Sequence, residues 1–150
     1  MRKVAGYSVI GLLLFLGACE KDAPAPVLQN PIPIIRYLSI SPKIVTEFTD
    51  SVIVEFEYKD GDGDLGHKDP DFTFLSVHDA RLKNADFYYV PPLAPIGSNI
   101  PIEGILRIKV RNTFLLGSGG DELTSYAIRM RDRAGNWSNY INTETITIRR

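Results

Sequence analysis

Aspartate residues are concentrated in a short glycine-rich stretch between Asp60 and Asp71. Single glycines separate Asp60, Asp62 and Asp64, so carboxylates stand at positions 1, 3 and 5 of the stretch, and Asp71 stands at position 12. From these positions a loop can wrap oxygen atoms around Ca²⁺, a hard cation that takes oxygen ligands. The carboxylates also repel one another, and a divalent cation would offset that repulsion. The stretch therefore predicts a Ca²⁺ site.

The pattern departs from the EF-hand, the helix–loop–helix calcium site, in three ways. Leu65 replaces the glycine usual at position 6, Asp71 is shorter than the usual glutamate, and strands are predicted on both sides. Asp132 and Asn136, from a hairpin near the C-terminus, are further candidate ligands. Two alternatives stay open: the Asp-Gly pairs only form turns, since both residue types accept positive φ, or another metal binds.

Nothing in the sequence indicates catalysis. His67 and His78 are the only histidines, and no catalytic-triad or zinc-ligand spacing accompanies them. A small β-sandwich also offers little concave surface to exclude water from a substrate. The 17 basic and 18 acidic residues give a net charge of −1, without the concentrated basic field that nucleic-acid binding needs. We therefore expect a protein that is not an enzyme and has no nucleic-acid partner.

The N-terminus has the organisation of an export signal. Arg2 and Lys3 precede an apolar run over residues 9–16, and the small residues Gly17 and Ala18 follow it. The run is too short for a transmembrane helix, which needs about 20 apolar residues. Cys19 comes next and is the only cysteine of the chain, so no intrachain disulfide can form.

The segment from Leu16 to Cys19 resembles the lipobox of bacterial lipoproteins. That resemblance implies that residues 1–18 are removed, that Cys19 carries lipid, and that the protein has a membrane as its partner. Glu20-Lys-Asp22 is similar to the short charged signal of surface-exposed lipoproteins in Bacteroidota, which implies the outer membrane; the alternative is a solvated linker. Prolines make residues 19–33 a semi-rigid spacer ahead of a domain over residues 34–150.

The domain is predicted to be all-β. Its apolar residues recur at period two and are interrupted by Gly, Pro, Asn and Asp, which is typical of short antiparallel strands. Seven strands in this length indicate a single immunoglobulin-like β-sandwich. They are predicted over residues 35–41, 52–58, 73–79, 86–90, 104–111, 124–131 and 143–149.

The second and fifth strands are neighbours in the immunoglobulin order. Glu55 and Glu57 should therefore lie beside Arg107, Lys109 and Arg111 on one outer face, where opposite charges pair across strands. This basic row is then a paired, solvated face rather than an anion site.

Two segments of the domain resemble motifs of known families. The segment from Tyr126 to Ser138 resembles the last hairpin of fibronectin type III and related immunoglobulin-like domains, in which the Tyr126 hydroxyl would bond back to the preceding loop. Together with the segment from Phe56 to Gly66, it is similar to small lipoproteins of Bacteroidota. The core tryptophan usual on the second or third strand is missing, because Trp137 lies late in the chain.

Counting strand reversals places the linker and the loops over residues 59–72, 91–103 and 132–142 at one pole. The proline loop (residues 91–97) is either a docking surface or a crossover between two sheets. We expect a membrane-anchored, non-enzymatic binding or structural module organised by Ca²⁺. The alternative is an accessory subunit of a surface complex for glycan capture or secretion, with an unknown protein or glycan partner.

Overall fold

The computed structural model describes residues 30–111 and 113–150, which form strands and loops. The predicted export signal, Cys19 and most of the predicted linker lie outside the described residues. Within the described part of the chain, no helix is long and apolar enough to cross a membrane. The strands are β1 (Ile34–Ser41), β2 (Ile44–Thr46), β3 (Val52–Asp60), β4 (Leu75–Asp79), β5 (Asp86–Tyr88), β6 (Ile102–Val110), β7 (Glu122–Thr124), β8 (Tyr126–Met130), β9 (Ile141–Asn142) and β10 (Ile146–Arg149).

The all-β prediction is confirmed, but the strand count differs from it. The described residues form ten strands in three sheets, with the orders β1-β3-β6, β2-β10-β7 and β5-β4-β8-β9. Two of the additional strands arise from breaks in the strand structure. The predicted strand over residues 124–131 is interrupted at Ser125, which separates β7 from β8, and the one over residues 143–149 begins only after residues 143–145, which separate β9 from β10. At the second break the Thr143 N–H donates to the Tyr126 carbonyl at 2.9 Å, and Thr143 Oγ1 accepts from the Tyr126 N–H at 2.9 Å. The third addition, β2, is only three residues long and pairs in parallel with β10.

One hydrophobic cluster joins the sheets. It contains inward-facing residues of β1, β3 and β6 together with residues of β4, β8, β9 and β10, which is the arrangement of a β-sandwich core. The core forms because side chains alternate between the two faces of each strand. In β3, Val52, Val54 and Phe56 are fully buried, whereas Glu55 is only half-buried.

The paired outer face is confirmed in part. Glu55 lies opposite Arg107 in the β3–β6 register and forms an ion pair with it. Glu57 pairs instead with Arg36 of β1, at 2.7 Å, because β3 has a neighbour on each side. Lys109 lies opposite the apolar Ile53 and not opposite a carboxylate.

Candidate metal centre

The acidic loop (residues 60–66) begins where β3 ends. Asp60 is the last residue of β3, lies opposite Ile102 of β6, and has only 3% of its surface exposed. The backbone N–H of Asp64 donates to Asp60 Oδ2 at 2.9 Å, which closes a turn on the aspartate side chain. Asp60 is therefore positioned by the sheet on one side and by its own turn on the other.

The turn brings three carboxylates together. Asp60, Asp62 and Asp64 each offer one oxygen atom, and these three oxygens lie within 4.8 Å of one another. Oxygens bound to the same Ca²⁺ at roughly 2.3–2.6 Å can be separated by at most about 5 Å. A single ion could therefore contact all three carboxylates.

One oxygen of each carboxylate is buried and unsatisfied. The Oδ1 atoms of Asp60, Asp62 and Asp64 are shielded from solvent and have no hydrogen-bond partner among the described residues. Burying a carboxylate oxygen without a partner is costly, and native structures contain few such atoms. Three in one cluster form an arrangement that a bound cation would satisfy.

The surroundings disfavour the charged forms of these carboxylates. Burial raises the pKa of Asp60 to about 6; the Asp64 N–H acts against this rise, and the charges of Asp62, Asp64 and Asp132 add to it. Burial also raises the pKa of Asp64, and the charges of Asp132 and Asp62 add to that rise. The site therefore holds an excess of negative charge that a divalent cation would neutralise.

The last hairpin closes over the acidic loop through Arg133 and Ala134. The Arg133 N–H donates to the Asp64 carbonyl at 3.2 Å, and the Ala134 N–H donates to Asp64 Oδ2 at 3.0 Å. The Arg133 guanidinium donates to the Gly66 carbonyl at 3.0 Å. It forms no ion pair with a carboxylate within the described residues. The Arg133 guanidinium therefore stabilises the backbone of the loop and does not pair with its carboxylates.

Asp132 reaches the site from the same hairpin. It is fully buried, and its backbone pairs with that of Leu65 in an isolated bridge. Its two carboxylate oxygens accept hydrogen bonds from Asn136, at 2.7 Å from the backbone N–H and at 2.9 Å from Nδ2. Asp132 is near enough for its charge to raise the pKa of Asp60 and of Asp64, but it is not one of the carboxylates whose oxygens lie within 4.8 Å of one another. Both of its oxygens already accept hydrogen bonds from Asn136, so the predicted role of Asp132 and Asn136 as metal ligands stays a prediction.

Asp71 does not join this group. It is exposed, and its backbone N–H donates to Asp69 Oδ1 at 3.0 Å. The path of the loop gives the reason: Leu65 is fully buried in the core, and its carbonyl accepts a hydrogen bond from the Leu93 N–H at 3.1 Å. The chain therefore turns towards the proline loop after Asp64 and does not wrap back around the carboxylates.

The predicted meeting of loops at one pole is confirmed. The Gly61 N–H donates to the Asn30 carbonyl at 3.1 Å, so the chain enters the domain beside the acidic loop. The backbones of Gly63 and Gly66 lie against the carbonyls of Ile100 and Pro91 so closely that no Cβ atom would fit. We call this end of the domain, with the 132–136 turn, the acidic pole.

Comparison of the chain with known protein families, curated proteins and solved structures finds no match.

Proposed function

We propose that this protein is a lipid-anchored, non-enzymatic binding or structural module whose acidic pole is organised by Ca²⁺. One observation carries the proposal: three carboxylates meet at the end of β3, and each has a buried oxygen without a hydrogen-bond partner among the described residues. A bound ion would fix the acidic loop, to which the last hairpin is hydrogen-bonded through Arg133 and Ala134, and so stabilise the folded state by mass action.

The chemistry of the cluster favours Ca²⁺ over other metals. Its members are all carboxylates, whereas structural zinc sites use cysteine and histidine. The oxygens come from a loop and not from a rigid cage, which suits the flexible coordination of Ca²⁺ better than the strict octahedron of Mg²⁺.

The finer fold assignment is also a proposal. The sheet orders β1-β3-β6 and β5-β4-β8-β9 resemble the two sheets of an immunoglobulin-like sandwich, in which the first, second and fifth main strands face the others. Tyr126 begins β8 and is buried, as the resemblance to fibronectin type III implies. Its hydroxyl forms no hydrogen bond among the described residues, so the bond to the preceding loop that this resemblance implies is not seen there.

The path of the chain supports an anchored orientation. The described chain begins at Asn30, which contacts the acidic loop. A lipid on Cys19 would therefore hold the domain with its acidic pole towards the membrane. Replacing Cys19 with serine should move the protein from the membrane fraction to the soluble fraction and abolish labelling with radioactive fatty acid. An unchanged distribution would contradict the anchor.

The calcium proposal is tested by thermal melting of the purified full chain in chelator, in Mg²⁺ and in Ca²⁺. At a hundredfold excess of Ca²⁺ over Kd, the parent should gain about 2.7 kcal/mol of stability. Asp62→Asn should lose this gain because it removes a carboxylate of the cluster. Asp71→Asn is the matched control and should keep the gain, since Asp71 is exposed and outside the group.

Two results would contradict the calcium proposal. An equal melting temperature in chelator and in Ca²⁺ would indicate that the aspartates only form turns and do not bind Ca²⁺. A gain of stability that persists in Asp62→Asn would place the bound ion elsewhere on the chain.

A second candidate function is an accessory subunit that acts through protein contacts. The observation that favours it is Ile96 in the proline loop, with 56% of its surface exposed at the acidic pole. The beginning of this loop is structural, because Leu93 packs against the core and Ala94 is buried. A co-purified protein that is lost in Ile96→Ser and retained in Asp62→Asn would favour this function over the first.

A further inference from the structure

Aromatic rings and guanidinium groups alternate on one side of the β5-β4-β8-β9 sheet. The Cζ atom of Arg129 lies 4.1 Å from the centre of the Trp137 ring and 4.7 Å from that of Tyr140. The Cζ atom of Arg131 lies 5.2 Å from the centre of the Phe74 ring and 5.4 Å from that of Trp137. Each guanidinium is therefore within cation–π range of two rings.

The strand register places this side away from the hydrophobic core cluster. Leu75 lies opposite both Tyr88 and Met130, and all three pack into the core or against it. The next position along β4 therefore turns outward, and there Ser76 lies opposite both Phe87 and Arg129. Phe74 and Ser76 are themselves buried on this side, beneath the longer side chains around them. We call the surface formed by Phe74, Phe87, Arg129, Arg131, Trp137 and Tyr140 the aromatic–arginine face.

Two of its aromatic residues are more than half exposed, although the Arg129 guanidinium already lies near the Tyr140 ring. Phe87 has 55% of its surface exposed and Tyr140 has 56%. Phe87 lies on β5, which is an edge strand of its sheet, and Tyr140 lies just before β9 at the other edge. The arginines lie between these two rings, so the face spans the width of the sheet.

The positive charge of this face is not compensated. Neither Arg129 nor Arg131 forms an ion pair with a carboxylate in the described part of the chain, and both Nε atoms are buried without a hydrogen-bond partner there. The other outward positions of the four strands carry no acid either; they hold Ser76, His78, Ala127 and Asn142. This differs from the outer face of the β1-β3-β6 sheet, where Arg36 and Arg107 are paired with glutamates.

We propose that the aromatic–arginine face binds an acidic polysaccharide, whose sugar rings stack on the exposed aromatic side chains while its carboxylates bind Arg129 and Arg131. The planar guanidinium fork matches a carboxylate in two parallel hydrogen bonds, and two aromatic rings within cation–π range restrict the orientation of each guanidinium here. The electron-rich faces of Phe87 and Tyr140 attract the partly positive C–H groups of a sugar ring. The proposal uses no residue of the metal centre.

A nucleic acid could also use stacking and arginine contacts. It is the weaker candidate, because two guanidinium groups on a chain of net charge −1 do not make the extended basic field that a phosphate backbone requires. A neutral glycan would leave both arginines without a charged partner. The acidic polysaccharide is therefore the class that uses both features of the face.

The test is isothermal titration of the purified full chain with a hexamer of galacturonic acid. The buffer contains chelator, because galacturonate binds Ca²⁺ itself, and this also keeps the result independent of the metal centre. Binding is expected, and Arg129→Gln should weaken it about tenfold by removing a charge-assisted contact. Phe87→Ser should also weaken it; its ring is exposed, so this variant keeps the fold even if Arg129→Gln does not.

Lys109→Gln is the matched control, because it removes one positive charge from the other sheet. Its affinity should stay within about twofold of the parent. No heat of binding with the parent would overturn the proposal, as would an equal loss of affinity in Lys109→Gln, which would indicate a non-specific charge effect. Equal affinity for cellohexaose would show that the arginines are not used, and tighter binding of a six-nucleotide oligothymidylate would assign the face to nucleic acid.

Discussion

At the scale of single residues, Asp60 combines a turn-forming role with a carboxylate oxygen that the turn does not use. A turn needs one oxygen of an aspartate to accept a backbone N–H, and Oδ2 of Asp60 does so at 2.9 Å. The other oxygen is buried without a partner beside two further carboxylates. Burial raises the pKa of Asp60 to about 6, which indicates how strongly the site disfavours an uncompensated charge.

Replacing Asp60 with asparagine should have opposite effects with and without metal. In chelator at pH 7 the variant should be more stable than the parent by about 1 kcal/mol, because a buried charge and its repulsions are removed and solvent screens part of the effect. In Ca²⁺ it should fail to gain stability, because a ligand is lost. Urea unfolding in both buffers measures this difference, and a variant that is less stable than the parent in chelator would contradict the electrostatic explanation.

Gly66 provides a second residue-scale prediction, about the packing of the acidic pole. Its φ is +78°, and a Cβ atom would collide with the Pro91 carbonyl. Gly66→Ala should therefore lower the free energy of unfolding by about 2 kcal/mol or more. Gly97→Ala is the matched control: its φ is +84° with nothing near the added methyl, so only the backbone cost of about 1 kcal/mol applies. Equal losses in urea unfolding would contradict the close packing of the loops.

Sequence spacing alone predicts part of the candidate metal centre. The positions of Asp60, Asp62 and Asp64 were predictable because a tight glycine turn forces neighbouring odd positions together. Counting strand reversals predicted that the hairpin of Asp132 lies at the same pole, whereas its role as a ligand stays a prediction. The hydrogen bonds from Arg133 and Ala134 were not predictable, since they depend on a register between distant segments that only the folded core defines.

At the scale of elements, a second charged cluster ties strand ends together away from the acidic pole. Arg81 follows β4 and donates from Nη2 to Asp79 Oδ2 at 2.7 Å and from Nη1 to Glu122 Oε2 of β7 at 2.7 Å. Burial alone would raise the pKa of Asp79, but hydrogen bonds from Arg81 and Thr124 outweigh it and hold the pKa below its usual value. This cluster thus links the end of β4 to β7 in another sheet.

The lowered pKa of Asp79 predicts how this link responds to acid. A carboxyl with a folded pKa below its unfolded value of about 3.9 contributes stability above that pH and loses it as the pH falls through the folded pKa. Asp79→Asn should therefore cost about 3 kcal/mol at neutral pH, because it leaves the largely buried Arg81 without its main partner. It should also unfold with a shallower pH dependence below about pH 4.

Urea unfolding between pH 2 and pH 7 checks this prediction. Glu103→Gln removes the acid of the exposed Lys59–Glu103 pair and should leave the neutral-pH stability nearly unchanged. If the parent and Asp79→Asn lost stability in parallel as the pH fell, the lowered pKa of Asp79 in the folded state would be contradicted.

The strands were more predictable than their grouping into sheets. Long runs such as β3 and β6 alternate clearly, because each buries one face. β2, β7 and β9 were missed as separate strands since two or three residues carry no periodicity, and their pairing is set by partners far along the chain. The break at Ser125 also has no local signal: it depends on Thr143, which bonds to Tyr126 in place of a regular ladder.

At the scale of the whole molecule, three surfaces carry different chemistry. The acidic pole gathers carboxylates beside the point where the chain enters the domain. The outer face of the β1-β3-β6 sheet pairs its charges, whereas the aromatic–arginine face leaves two guanidinium groups without carboxylate partners among the described residues. A bound ion at the acidic pole would therefore leave the aromatic–arginine face available to a ligand.

Calorimetric titration of Ca²⁺ into the metal-stripped full chain tests the central claim most directly, with Asp62→Asn and Asp71→Asn titrated in parallel. We predict saturable heat with one Ca²⁺ per chain in the parent and in Asp71→Asn, and none in Asp62→Asn. Absence of heat in the parent, together with an unchanged melting temperature, would contradict the claim that Ca²⁺ organises the acidic pole.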